Sequence, residues 1–399
     1  VPERHGYRIS NTVVAHAAPD TNPPAVLTAR SEVPNSKKNE HALSSLTNRS
    51  MFFIERGLQN VAVISHISMI FISTIIAICL FGNPFLLFTV SIPYLVFYMF
   101  DRSPGSGKVM QFRYNWWKNL SIWKYYCDYF QISINKKKEL EPTFKDINTN
   151  ELYSKDPITY IFGYHPHGIA ALASFGLSNN GCGFQNEFPG INLSLLTLTN
   201  NFQLPFYREY LLLSGLSSVS KRNITKLLQN YTSVCLVLGG AKESLAVDFS
   251  GDKINLVLKN RKGFVRLAVA NTKAGKRRTG LVPIFSFGEN ELYKVVNPKE
   301  GSLLRKLQLW LKKNIGFTIP IFFGRGIWNT DFGLMPYREK VTMCFGEPIE
   351  IDLSKFDENT PEEEIVDHYH ALYIDGLLKV FDDNKDKYNY SKKVINFVD

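Results

Sequence analysis

Tyr160-Ile-Phe-Gly-Tyr164-His165-Pro166-His167-Gly168 closes an apolar run that opens at Ile158, and its β-branched and aromatic content reads as a buried strand. The run stops at Gly163, and a turn then carries two imidazoles held apart by a proline. Proline fixes φ and biases the preceding residue toward extended geometry. His165 and His167 are therefore expected to stand stiffly, to one side, at the C-terminal end of a strand. That is where open α/β sheets place their chemistry. Imidazole titrates nearest neutrality, which suits a general base. The simpler reading is two structural histidines, and an H-x-H pair is also half of a metal site. Further ligands are scarce: His368 and His370 fall in an acidic, helix-like stretch, and the five cysteines (Cys79, Cys127, Cys182, Cys235, Cys344) form no C-x-x-C. No resident metal is expected.

Downstream of this strand, short apolar runs alternate with amphipathic stretches, which predicts an α/β domain over residues 157–399 with a mixed sheet flanked by helices. Strands are expected at 158–164, 193–199, 234–238, 281–287 and 341–345, and helices at 207–213, 222–229, 261–272, 303–313 and 361–381. The tail after Asp382 is expected to fray.

Upstream, residues 61–100 are forty consecutive positions without Asp, Glu, Lys or Arg. About 20 apolar residues suffice to cross a hydrocarbon core, and Gly82-Asn83-Pro84 interrupts the run. A transmembrane helical hairpin over 51–102 is the expectation, because soluble helices keep a wet face. Ser65, His66, Ser68, Ser73 and Thr74 are placed to bond between the arms. Lys37, Lys38, Arg49 and Arg56 precede the hairpin, and Arg102, Lys108, Arg113, Lys118 and Lys124 follow it, which puts both ends in the cytosol. The sequons at Asn119, Asn192, Asn223, Asn230 and Asn389 should then stay bare. Residues 1–50 show no sustained period and read as a disordered tail. Residues 103–156 read as an interfacial aromatic–basic segment followed by a charged linker. No apolar leader stands near the N-terminus. Scattered cysteines point to a reducing compartment. The net charge of +10 calls for an anionic partner. A basic segment directly behind a membrane hairpin favours lipid over nucleic acid.

Residues 234–238 run into Gly239-Gly240-Ala-Lys-Glu243-Ser244. Gly168, Gly239 and Gly240 are candidates for N–H groups facing an oxyanion, and Glu243 for holding a histidine. An ordinary strand-to-helix turn fits the same residues. Between Lys253 and Arg278 there are nine basic residues and no acidic one. Arg261, Lys262 and Arg266 there, with Arg222 ahead of another helix, are candidates for gripping phosphate. Gly324-Arg325-Gly326 sets a cation between two glycines, a weaker anion signal. A G-x-S-x-G elbow, a Walker loop and a dinucleotide fingerprint are all missing.

The His-Pro-His-Gly turn, Phe188-Pro189-Gly190, Gly239-Gly240-Ala-Lys-Glu243-Ser, Arg261-Lys262-Gly263-Phe264 and Leu281-Val-Pro283 through Phe287-Gly288-Glu289 occur in that order. In this the chain resembles the type-2 diacylglycerol acyltransferase family, its fungal members most, over about residues 55–395. Where the family carries Tyr-Phe-Pro, this chain has Tyr129-Phe130-Gln131. The resemblance implies esterification of diacylglycerol by acyl-CoA at the endoplasmic reticulum membrane and the lipid-droplet surface, with no cofactor beyond that co-substrate. It implies His167 as base, His165 and Glu243 beside it, and the four cations on the CoA phosphates. Distant relatives use a His-x4-Asp dyad, but Ala170 and Leu172 stand where that aspartate would fall. Monoacylglycerol, a long-chain alcohol or a sterol remains open as acceptor, and a homo-oligomer is compatible with the sequence. A membrane-tethered metal hydrolase and a non-enzymatic droplet protein are the competing classes.

Overall fold

A computed structural model of the chain describes residues 35–109, 115–247, 252–275, 277–296, 301–315, 321–328, 330 and 332–398. The chain divides into two units, Val1–Phe52 and Phe53–Asp399. The described part of the first is helical from Asn35, so helix stands in the second half of the expected disordered tail, and residues 1–34 lie outside the described residues.

Helix α1 (Asn35–Gly82) ends where the sequence breaks. Asn83 takes an extended backbone, its side chain accepts from the Leu86 N–H at 3.2 Å, and Pro84 opens the next turn. After a π-helical stretch, Leu87–Ser91, the second arm continues as α2 (Ile92–Phe100). Two helices, Ser50–Gly82 and Pro84–Gly105, are long and apolar enough to cross a membrane, and only 11% and 6% of their most apolar windows are buried. Phe71, Ile75, Ile78, Phe85, Phe88 and Met99 face outward, which is not how a core helix behaves. Among the described residues, Ser65, His66, Ser68 and Thr74 of the first arm do not bridge to the second. Ser65, Ser68 and Thr74 donate to carbonyls three or four residues back, and His66 Nδ1 lies 2.6 Å from the Tyr210 hydroxyl. Tyr94 of α2 donates to Glu209 at 2.7 Å, so both arms touch the short helix that carries Tyr210.

The central sheet has eight strands: β1 (Ser133–Lys136), β2 (Ile158–His165), β3 (Leu193–Thr197), β4 (Leu216–Ser218), β5 (Ser233–Val237), β6 (Arg278–Phe287), β7 (Thr342–Phe345) and β8 (Ile349–Glu350). Their order is β1-β7-β6-β2-β5-β3-β4, with β8 paired to β6. The run from β6 to β4 is parallel, while β7 is antiparallel to β6. β2 is buried at every position, as befits a strand covered on both faces. The chain fills positions on one side of β2, ends there with β5 beside it, then crosses to β6 on the other side. The C-terminal ends of β2, β5 and β6 thus meet where the chain changes its direction of travel, the usual crevice for ligands.

Helices follow the strands: α3 (Ser121–Tyr129), α4 (Tyr207–Leu213), α5 (Lys221–Gln229), α6 (Ala241–Leu245), α7 (Gly263–Gly275), α8 (Leu303–Ile315) and α9 (Glu362–Asn384). Three parts of the sequence reading need correction. Trp123, Tyr126, Cys127 and Phe130 lie at i, i+3, i+4 and i+7 and form the buried stripe of α3, not a lipid-facing segment. Tyr126 donates to the Leu172 carbonyl, just past the histidine turn, at 2.9 Å. The α/β fold therefore begins before residue 157, because β1 supplies an edge of the sheet from the end of the expected interfacial segment and the first residue of the expected linker. The tail does not fray: Val394–Phe397 pairs in parallel with Lys253–Leu256. Gln131, which replaces the family's proline, has φ of 46°, a conformation closed to proline.

One glycine locks α9 onto the sheet. A Cβ at Gly163 would overlap the Tyr373 hydroxyl, which donates to the Gly163 carbonyl at 3.2 Å. Gly163→Ala is expected to cost about 1–3 kcal/mol. Thermal unfolding in detergent checks this, and an unshifted midpoint would refute the close approach.

Candidate active site

The two histidines do not form a pair. His165 is the last residue of β2, and a cis peptide joins it to Pro166. Its ring points into the core, fully buried, with Nε2 3.1 Å from the Tyr373 hydroxyl. That hydroxyl's one proton goes to the Gly163 carbonyl, so Nε2 is the donor and Nδ1 has no partner among the described residues. Burial pulls this imidazole down to about 3, which keeps it neutral. His165 is a core histidine beneath the turn, contrary to the expectation that both rings face one side.

His167 sits beyond the proline on a half-buried turn. Its Nδ1 lies 3.3 Å from the Gly168 carbonyl and 3.1 Å from Ser244 Oγ on α6. A carbonyl only accepts, and the Ser244 hydroxyl has its own acceptor in the Ile169 carbonyl at 3.4 Å. Nδ1 therefore carries the proton, and Nε2 is the bare nitrogen, with no hydrogen bond from the described residues. Burial lowers the His167 pKa.

Glu243 does not hold the ring. Its Oε1 accepts from the His167 backbone N–H at 2.5 Å and its Oε2 from the Val257 N–H at 2.9 Å. Burial pushes this carboxyl up to about 7, against the pull of both donors and the Arg261 charge. A second buried glutamate lies on the other side of the turn. Glu289 accepts from the Tyr164 hydroxyl at 2.6 Å and the Ala173 N–H at 3.2 Å. Burial also pushes it up to about 7.

The glycines divide by what their missing Cβ admits. Gly168 (φ 55°) would press on Glu289, and Gly239 (φ 97°) would strike the Glu243 carboxylate. Gly240 (φ 62°) faces open space. Only at Gly240 does the backbone leave room for a ligand.

The four cations do not form one clamp. Lys262 is ion-paired with Asp367 and, at 3.8 Å, with Glu363, while Arg266 pairs with Glu363. The acidic first turn of α9 already engages both. Arg222 is exposed on the first turn of α5, and Arg261 is exposed just ahead of α7. Both stand at the C-terminal edge of the sheet, because α5 leaves β4 there and α7 runs back toward the start of β6. Arg261 is close enough for its charge to act on Glu243 and makes no ion pair among the described residues. A polar cleft lined by Lys108, Asn192, Asn230 and Thr232 opens at the opposite edge, away from the imidazoles. No group of three or more His, Cys, Asp or Glu side chains gathers as a metal cage among the described residues.

Sequence reasoning missed Ser244, Glu289 and Tyr373. Ser244 follows Glu243 and Glu289 closes the Phe287-Gly288-Glu289 motif, so the motifs held the signal but not the roles. Tyr373 carries no local signal, since it reaches the site from a helix more than two hundred residues away. Ser244→Ala should lower kcat about fivefold, the equivalent of about 1 kcal/mol for one hydrogen bond, with KM little changed. Steady-state kinetics check this, and an unaltered kcat would remove Ser244 from the tautomer argument.

The chain matches the family described as diacylglycerol acyltransferase over residues 79–397. It is 41% identical over 364 residues to diacylglycerol O-acyltransferase 1 of Saccharomyces cerevisiae, covering 84% of each chain. It is 38% identical to diacylglycerol O-acyltransferase 2 of Dictyostelium discoideum, over 83% of this chain and 92% of that one. Against 2-acylglycerol O-acyltransferase 1 of Bos taurus the identity is 36%, over 84% of this chain and 93% of the relative.

Proposed function

The chain belongs to the diacylglycerol acyltransferase family, and from that premise we propose that it transfers a fatty acyl group from acyl-CoA to the free hydroxyl of 1,2-diacylglycerol, giving triacylglycerol. The observation that carries the mechanism is the bare Nε2 of His167, fixed by the two acceptors on Nδ1. Nε2 takes the hydroxyl proton as the alkoxide oxygen attacks the thioester carbonyl. The tetrahedral adduct collapses, the C–S bond breaks, and the imidazolium returns its proton to the departing thiolate, which leaves as CoA thiol. Ser244 holds the tautomer, and Glu243 holds the backbone that presents the ring. Gly240 N–H is the candidate donor for the oxyanion, because the space a Cβ would fill there is open to a ligand. Arg261 and Arg222 attract the CoA phosphates, with Lys262 and Arg266 available only if a phosphate displaces their carboxylates.

The outward apolar faces of α1 and α2 support a hairpin in the membrane of the endoplasmic reticulum or at a droplet surface, with both ends in the cytosol. Diacylglycerol then reaches the turn laterally from the bilayer. An assay of the purified, reconstituted chain with labelled oleoyl-CoA against diacylglycerol, monoacylglycerol, a long-chain alcohol and a sterol tests the assignment. Triacylglycerol should be the dominant product. Faster ester formation on monoacylglycerol, the acceptor in the cattle relative's name, would move the acceptor within the family. No ester on any acceptor would end the enzymatic reading.

A further inference from the structure

The sustained apolar part of α1 starts at Val61, and the turn of helix just before it meets an unusual set of neighbours. The segment from Gly324 to Arg338 folds back on itself through bridges between Gly324 and Gly333 and between Arg325 and Met335. It brings two guanidinium groups onto α1. Arg325 Nη2 donates to Asn60 Oδ1 at 2.6 Å and its Nε to the Tyr129 hydroxyl at 2.9 Å. Arg338 Nη2 donates to the same Asn60 oxygen at 2.7 Å and to the Arg56 carbonyl at 3.3 Å, while its Nη1 reaches Gln59 at 2.5 Å. The Tyr129 ring lies under both cations, 5.5 Å from Arg325 and 4.1 Å from Arg338.

Every acceptor here is neutral. Neither Arg325 nor Arg338 has a carboxylate partner among the described residues, although Lys262, Arg266 and Arg278 elsewhere in this fold each have one. Both guanidiniums are half-buried. Burial, with the charges of Arg56 and Arg325 nearby, pulls Arg338 down to about 10, so it is still charged at neutral pH. Crowded like charges withdrawn from water are costly unless an anion joins them. Arginine forks match a phosphate's oxygens two at a time.

We propose that Arg325 and Arg338 form a binding site for a phosphate group. The headgroup of a membrane phospholipid is the source the surroundings favour. The site lies one helical turn outside the start of the apolar arm, the depth at which lipid phosphates sit. The loop that supplies Arg325 also presents Ile327 and Trp328, with Trp328 97% exposed, and Phe332 and Leu334 follow on the return. Trp favours the headgroup layer. The site is distinct from the His167 turn and its cations, and it rests on the membrane reading of α1 only for its choice of lipid over CoA.

The test uses the full chain purified in an uncharged detergent, titrated separately with short-chain phosphatidic acid, short-chain diacylglycerol, inorganic phosphate and CoA while thermal unfolding and Trp fluorescence are followed. Phosphatidic acid should raise the unfolding midpoint saturably and diacylglycerol should not match it at the same concentration. The paired change Arg325→Gln and Arg338→Gln should abolish the shift, and Arg325→Lys with Arg338→Lys should keep part of it. Asn60→Asp decides the matter independently of any loss of folding in the glutamine pair. Its carboxylate would lie between the two guanidiniums, so lipid-free stability should rise and the lipid-dependent shift should fall at least tenfold in apparent affinity. An Asn60→Asp chain that is no more stable and still responds to phosphatidic acid would overturn the site. A shift with CoA alone, lost in the glutamine pair, would overturn the lipid as its source.

Discussion

His167→Ala is expected to slow acyl transfer by about 10²–10⁴-fold, the usual contribution of a positioned base. The protein should still insert, bind acyl-CoA and unfold near the parent's midpoint, because the ring makes only two bonds at the edge of a half-buried turn. The comparison with His165 separates the two histidines. His165→Ala removes a fully buried ring packed against α9, and its main effect should be on stability. Burial lowers the pKa of His167, so the base should be neutral, and the rate flat, above pH 6.5. The rate should fall only as pH drops below that value. Turnover of purified His167→Ala within a few-fold of the parent would rule out the base assignment, whatever His165 does.

Glu243→Ala should damage the fold more than any other single change at this site. The carboxylate is the acceptor for two backbone N–H groups, of His167 and Val257, in a fully buried position. Stranding both costs about 2–6 kcal/mol, at about 1–3 for each buried donor. That is a large part of a typical domain's stability of about 5–15 kcal/mol. The pH dependence gives a second check. Burial raises the folded pKa to about 7 from an ordinary 4.5, so the folded chain holds this proton to a higher pH than the unfolded chain does. Its contribution is fully present below pH 4.5 and is lost as pH rises through about 7. Glu243→Gln, which cannot ionise and keeps only one of the two acceptors, should therefore be less destabilised relative to the parent in alkaline buffer than in acid. The same variant tests the role of the charge. Were Glu243 an electrostatic partner of the imidazolium, Glu243→Gln would lose activity as severely as His167→Ala. With the carboxyl holding backbone instead, the glutamine variant, whose amide oxygen still accepts from one of the two N–H groups, should keep far more of its kcat than His167→Ala.

The architecture was legible where the signal is local. The five strands and five helices read from period and composition all exist, with ends moved by a few residues. What escaped were short pieces such as Ser133–Lys136 and Val394–Phe397, which are strands only because a partner lies beside them. The aromatic–basic stretch around Trp123 was assigned to lipid because its composition fits an interface. Its i, i+3, i+4, i+7 stripe fits a buried helix equally well, and only the presence of Phe175 and Leu172 opposite decides between them.

By itself the sequence determined that a strand delivers a histidine turn, that a charge-free arm precedes it, and which motifs gather around it. These follow from backbone stereochemistry and from the cost of exposing apolar side chains, both properties of neighbouring residues. Only the tertiary structure decided that one imidazole is sealed beneath Tyr373 while the other is half-buried on the turn with a nitrogen left bare, that Glu243 grips a backbone, and that Lys262 and Arg266 are answered by α9. Hydrogen bonds and ion pairs depend on distances of about 3 Å. Such distances between residues far apart in the chain are fixed by packing, and no local pattern encodes them.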